Sequence, residues 1–158
     1  HFAYNWSGNL TIVGIFAPVN ESVWEHLKIA FWPILIWWIL GFYILSKNNN
    51  LSCSQWFVSC ATSETVCLLT IVSFYYTYTG ALGIESLMLD IFSLLLGIAL
   101  GQIAALHIFK YVHSNKYTLL FSIFVIVLLS LAFIVFTFSP PHIPLFQDAN
   151  TLQYGIPY

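Results

Sequence analysis

The sequence contains very little charge. Charged residues make up 6% of its 158 residues, and the four cationic ones are all lysine. A soluble domain carries about 25% charged residues, so this chain has too few charged side chains to form the surface of a soluble protein. A net charge of −2 with so few cations also excludes a basic surface for nucleic acid. The chain is apolar instead, with 59% hydrophobic residues and a mean hydropathy of +0.85.

Cysteine is scarce as well. Cys53, Cys60 and Cys67 follow one another at intervals of seven residues on one predicted helix. Seven helical residues rise about 10.5 Å, which is too far for a disulfide. The spacing does not suit a zinc site either. We therefore interpret the three cysteines as small hydrophobic side chains.

Long apolar runs form most of the chain. A membrane-spanning helix needs about 20 mostly apolar residues. Four segments reach that length, at residues 23–45, 55–79, 84–109 and 118–138. We predict an all-α fold, a polytopic transmembrane helix bundle that forms a single domain over residues 1–158. Its parts are an outer segment (1–22), four spanning helices (23–138) and a non-helical, proline-rich outer tail (139–158).

The lysines predict an orientation. Lys47 lies in the first connection between helices, and Lys110 and Lys116 flank the third. With alternating spans, these two connections share one side of the membrane. The positive-inside rule places that side in the cytoplasm, so the tail would face outward.

The start of the first span carries a dense group of polar side chains. We predict Asn20 as the helix N-cap and Glu21 in the first turn, where a carboxylate suits the helix dipole. Glu25 and His26 follow one turn later, and such a group could hold a cation, relay a proton or supply a general base. An interfacial cap, in which Glu25 pairs with Lys28, is an equally open interpretation.

This segment also carries a family resemblance. The run Pro-Val-Asn-Glu-Ser-Val-Trp-Glu-His-Leu-Lys at residues 18–28 resembles the hallmark of a family of small bacterial multi-pass membrane proteins of unknown function. Residues 1–8, 144–148 and 154–156 are similar to that family too, so the resemblance covers the whole chain. It implies a further helix upstream, five in all, and a place in the bacterial cytoplasmic membrane. It implies no activity.

Glu64 is predicted to lie deep in the second span, about 15 Å from its start. A charge at that depth costs at least about 2.5–3.5 kcal/mol, so such a residue faces the protein interior and often marks function. The structural alternative is a protonated carboxyl that bonds to a neighbouring helix.

Asp90 belongs to a stripe of small and polar residues on the third span. A glycine pair within it fits the GxxxG pattern, which permits close approach between helices. We expect Asp90 to face a partner helix and to form an acidic path with Glu64. The stripe consists of Ser86, Asp90, Ser93, Gly97 and Gly101.

The tail is predicted to dock on the outer surface. Its prolines stop the fourth span and favour an extended strand, and its apolar side chains need cover from water. Docking would bring His142 and Asp148 towards Glu21, Glu25 and His26, where the added carboxylate would favour the charged form of the histidine. The alternative is a tail that is only anchored at the membrane interface.

Three functions remain open. The first is binding or translocation of a small cation, proton or metabolite through the outer Glu/His cluster and the buried carboxylates. The second is a membrane-embedded hydrolase with a divalent metal such as zinc held by His26, His142 and Glu25, although no HExxH-type spacing occurs. The third is a structural or assembly subunit. The lipid bilayer is the expected partner, together with further copies of this small chain. The candidate site residues are Glu21, Glu25, His26, Glu64, Asp90, His142 and Asp148.

Overall fold

The computed structural model of the protein describes residues 2–47 and 51–156, and the described residues form six α-helices and no strand. His1, residues 48–50 of the first predicted connection and the last two residues of the predicted tail lie outside the described part. The predicted all-α class is confirmed. The helices are α1 (Ala3–Trp6), α2 (Thr11–Phe16), α3 (Val23–Ser46), α4 (Cys53–Leu82), α5 (Leu87–Tyr111) and α6 (Lys116–Phe138).

The four longest helices, α3 to α6, are each long and apolar enough to cross a membrane. The second predicted span is too short, because α4 continues through Gly80 to Leu82. Ser52 begins this helix by accepting a hydrogen bond from the backbone N–H of Gln55. Gly83 ends it with a φ of 65°, in the left-handed region that glycine adopts without strain.

The chain divides into two compact units. The first unit comprises His1–Trp32 and Val127–Tyr158, and the second comprises Pro33–Ile126.

In the second unit, α4 and α5 pack along the predicted stripe. Ser93, Gly97 and Gly101 are buried on α5. A Cβ at Gly101 would lie 2.6 Å from the backbone oxygen of Ser63, and one at Gly97 would lie 2.9 Å from that of Cys67. Only glycine allows the two backbones to approach so closely, so the stripe is the packing surface between these helices.

In the first unit, aromatic rings join the start of α3 to the end of α6. Trp24 stacks on Phe133 with ring centroids 4.6 Å apart, and Phe31 packs against the same ring at 4.7 Å. The tail contributes Phe146, whose ring lies 4.8 Å from Trp24. The predicted apolar docking of the tail is therefore confirmed for Phe146, while Ile143 is 49% exposed.

The tail lacks an α-helix, as predicted, but the extended strand is wrong. Pro144 opens a short 3₁₀ turn, Pro144–Phe146, because proline is already suited to the first position of a helix. The chain then reverses, and Gln147 pairs with Tyr154 in an isolated antiparallel bridge.

Replacing Gly101 with alanine is expected to lower the free energy of unfolding by about 1–3 kcal/mol. The new Cβ would meet the backbone oxygen of Ser63, which has no freedom to move aside. Gly80→Ala is the matched control, because a Cβ at this exposed glycine of α4 meets nothing within 4 Å. Thermal unfolding in detergent measures both variants. An equal melting temperature for the two would contradict the proposed packing.

Candidate functional site

A buried lysine stands at the centre of the first unit. Lys28 is 0% exposed, on the second turn of α3. Its ammonium donates to the carbonyl oxygen of Gly14 at 2.8 Å, to Oε2 of Glu25 at 2.6 Å and to Oγ1 of Thr137 at 2.7 Å. A lysine ammonium has three protons to donate, and each has an acceptor here. The cation is thus fully satisfied inside the protein.

Glu25 is occupied by the same cluster. Its Oε2 accepts from Lys28 and also from the backbone N–H of Val19 at 3.0 Å. The ion pair that the cap interpretation expected is therefore present, and it is buried. Sequence reasoning found this pair but missed Thr137, whose position in an apolar helix gives no signal of a partner.

The cap of α3 is Ser22, so the prediction of Asn20 is wrong. Oγ of Ser22 accepts from the backbone N–H of Glu25 at 3.3 Å. Ser-x-x-Glu is the capping-box spacing, and this signal could have identified the cap. The Asn20 side chain instead accepts from the backbone N–H of Ser22 at 3.0 Å and donates to the carbonyl oxygen of Gly155 in the tail at 2.8 Å.

Glu21 and His26 form a partly exposed pair at this helix end. Oε2 of Glu21 lies 3.3 Å from Nε2 of His26, and the two side chains are 39% and 36% exposed. Nδ1 of His26 lies 2.9 Å from the carbonyl oxygen of Ser22. Because a carbonyl only accepts, that nitrogen carries a proton in this geometry. Glu21 precedes α3, which begins at Val23, so its predicted place in the first turn is wrong.

Asp148 fastens the tail to this helix end. Its Oδ2 accepts from the backbone N–H of Glu21 at 3.1 Å, and its Oδ1 accepts from Asn150 at 2.7 Å and Thr151 at 2.8 Å. The predicted contact between the tail and this turn is therefore confirmed. Burial acts to raise the pKa of Asp148, but the hydrogen bonds from Thr151, Glu21 and Asn150 outweigh it and hold the pKa below its usual value.

His142 takes a different place in the tail. Its ring packs against Tyr154 with centroids 4.6 Å apart. Across residues 2–47 and 51–156, no group of three or more His, Cys, Asp or Glu side chains is placed to hold a metal ion. The predicted metal set of His26, His142 and Glu25 is thus not brought together in the described structure.

Glu64 differs from every carboxylate of the first unit. It is 0% exposed, about 16 Å from the start of α4. Neither of its carboxylate oxygens has a hydrogen-bond partner among the described residues. The buried thiols of Cys60 and Cys67 lie one turn before and one turn after it on the same helix. The prediction that Glu64 faces the protein interior is confirmed.

Asp90 lies in the first turn of α5, nearer the helix end than predicted. The hydroxyl of Tyr78 on α4 donates to its Oδ1 at 2.6 Å. Asp90 therefore faces a partner helix, as expected. An acidic path from Asp90 to Glu64 stays a prediction.

Comparison with known proteins assigns a family but no activity. The model of a family of unknown function, DUF6512, matches residues 1–156, so the chain belongs to that family. Neither the comparison with curated proteins nor that with solved structures finds a match.

Lys28→Met is expected to lower the free energy of unfolding by about 3–5 kcal/mol, because it leaves the Glu25 carboxylate buried without its cation. Adding Glu25→Gln should recover much of this loss. Lys47→Met is the control, since this exposed lysine lies over the Tyr43 ring at 4.1 Å and its contact is worth about 0.5–1 kcal/mol. Denaturant unfolding in detergent measures all three variants. A double variant as unstable as Lys28→Met would contradict the ion-pair explanation.

Asp148→Ala is expected to loosen the tail at neutral pH. Since the pKa of Asp148 is lowered in the folded state, its stabilisation is complete above the unfolded value of about 4. The stabilisation is lost as the pH falls through the lower folded pKa. Hydrogen exchange of the Glu21 and Thr151 amides should therefore differ between wild type and variant at neutral pH and converge in acid. A difference that persists at the lowest pH would contradict this assignment, and Glu85→Ala provides an exposed control.

Proposed function

We propose that this DUF6512 protein is an integral membrane protein that binds a small cation, the proton included, and passes it across the bilayer at Glu64. The observation that carries the proposal is the buried Glu64 carboxylate, whose two oxygens have no hydrogen-bond partner among the described residues. A structural carboxylate inside a membrane protein bonds to a neighbouring helix. A carboxyl group without such a bond, whose charged form costs at least about 2.5–3.5 kcal/mol at this depth, marks a binding function.

The contacts of the other carboxylates support this choice. Glu25 is neutralised by Lys28, Asp148 accepts three backbone N–H groups, and Asp90 accepts the hydroxyl of Tyr78. Each of these carboxylates already has an ion pair or hydrogen bonds within the protein, and a ligand would have to displace them. Glu21, paired with His26 at a partly exposed helix end, is the outer candidate that water can still reach.

The proposal places the protein in the bacterial cytoplasmic membrane. Four helices long and apolar enough to span support a membrane location. Lys47, Lys110 and Lys116 would lie inside by the positive-inside rule, and the tail outside. A homo-oligomer is part of the proposal, because one chain of this size encloses little space for a translocation path.

A structural or assembly subunit is the second candidate. The observation that favours it is the Lys28 cluster, whose buried groups are satisfied by one another and so stabilise the first unit without a ligand.

Purified protein in liposomes tests the proposed function. An imposed potential should drive uptake of protons or of a radiolabelled alkali cation above that of empty vesicles. Glu64→Gln should lower the rate by about tenfold or more, because the amide cannot carry the negative charge. Glu85→Gln, the same change at an exposed carboxylate, should leave the rate unchanged. Wild-type protein without uptake of any of these ions, or Glu64→Gln at the full rate, would contradict the proposal.

A further inference from the structure

We infer that the ion bound at Glu64 is a proton and that the resting protein holds this side chain as a neutral carboxylic acid. The inference rests on the proposed function and names the species that the same site takes.

A metal cation would need more oxygen atoms than the site offers. Hard cations such as Ca²⁺ take about six to eight oxygen ligands, and channels that bind K⁺ surround it with several carbonyl oxygens. The polar side chains one turn away from Glu64 on α4 are thiols, those of Cys60 and Cys67. A thiol is a poor ligand for such ions.

The hydroxyl groups next to Glu64 in sequence have other partners. Oγ of Ser63 accepts from Nε2 of Gln102 on α5 at 3.0 Å. Thr62 and Thr65 donate to the carbonyl oxygens of Val58 and Ala61 on their own helix. These two threonines also line an open groove of about 510 Å³, on a different face of α4 from Glu64.

The facing surface of α5 adds at most one oxygen ligand. It presents Gly97, Gly101 and Ala105, which have no polar side-chain atom, and the neutral amide of Gln102, whose nitrogen donates to Ser63 and whose carbonyl oxygen is a single acceptor. Within the described ranges, no lysine or histidine forms an ion pair with Glu64. The titratable groups next to the carboxyl are the Cys60 and Cys67 thiols on its own helix. A single carboxylate with no cation partner can become neutral here by taking up one proton.

The proposed cycle is a reversible proton exchange. A proton from a hydronium ion on one side bonds to one carboxylate oxygen, which leaves a water molecule and the neutral acid. Loss of the proton to a water molecule on the other side restores the carboxylate and forms hydronium, so one positive charge moves and no redox partner is needed. The charged form is the costly one, so it is the less populated of the two.

Dicyclohexylcarbodiimide tests the inference on the full chain in liposomes. This apolar reagent enters bilayers and reacts with protonated carboxyl groups. The acid proton moves to a nitrogen of the reagent, a carboxyl oxygen bonds to its central carbon, and rearrangement gives a stable N-acylurea with no leaving group. Peptide mass spectrometry then locates one added reagent.

We expect the label at Glu64 in the wild-type protein. It should fall at least about tenfold from mildly acidic to strongly alkaline buffer, and excess Na⁺, K⁺ or Ca²⁺ should not protect. Glu64→Gln should lose this label, and Glu85→Gln should keep it. Because mapping is done on wild type, the result does not depend on how well a variant folds.

Two results would overturn the inference. Protection of Glu64 by one of the metal cations would show a metal-ion site, while cation uptake at Glu64 could still stand. An unlabelled Glu64 at every pH, with other carboxyls labelled, would show that the group is not a protonated acid. Labelling as expected in a protein that moves no ion would support the proton site and reject the transport function.

Discussion

The Lys28 ammonium is the interaction on which the first unit depends. It joins three elements, since Gly14 belongs to α2, Glu25 to α3 and Thr137 to α6. Transfer of an unpaired ammonium out of water costs several kcal/mol even after relaxation. The position of each partner is therefore constrained, because a displaced acceptor would leave a buried proton without a bond. The Thr137 hydroxyl accepts a hydrogen bond from the ammonium, and its own proton is donated to the carbonyl oxygen of Phe133 at 2.7 Å.

The surrounding parts of the first unit follow from this arrangement. With α3 and α6 joined at Lys28, Trp24 lies against Phe133 and leaves a face for Phe146 of the tail. Asp148 and Gly155 then bond to the backbone of Glu21 and the side chain of Asn20. The polar end of α3 thus stabilises the first unit, whereas the Glu64 carboxylate in the second unit has no hydrogen-bond partner among the described residues.

The sequence predicted the long helices well. A run of about twenty apolar residues has no water to bond to in a membrane, so its backbone N–H and C=O groups bond to one another in a helix. It also predicted that Glu64 is buried, because a carboxylate at that depth in the span is too costly to place against lipid. The roles at the start of α3 were harder to predict. Glu25 and Glu21 are four residues apart on a polar segment, yet one is buried against Lys28 and the other is partly exposed. That difference depends on Gly14 and Thr137, which are distant in sequence and unremarkable in composition.

The contact between Lys28 and Thr137 has a consequence for biogenesis. The two residues are separated by 109 positions, so the ammonium lacks its last acceptor until α6 has been synthesised. During insertion, Glu25 is the partner available from the same helix, and it neutralises the charge early. The Lys28 cluster can therefore be completed only after α4 and α5 have been synthesised.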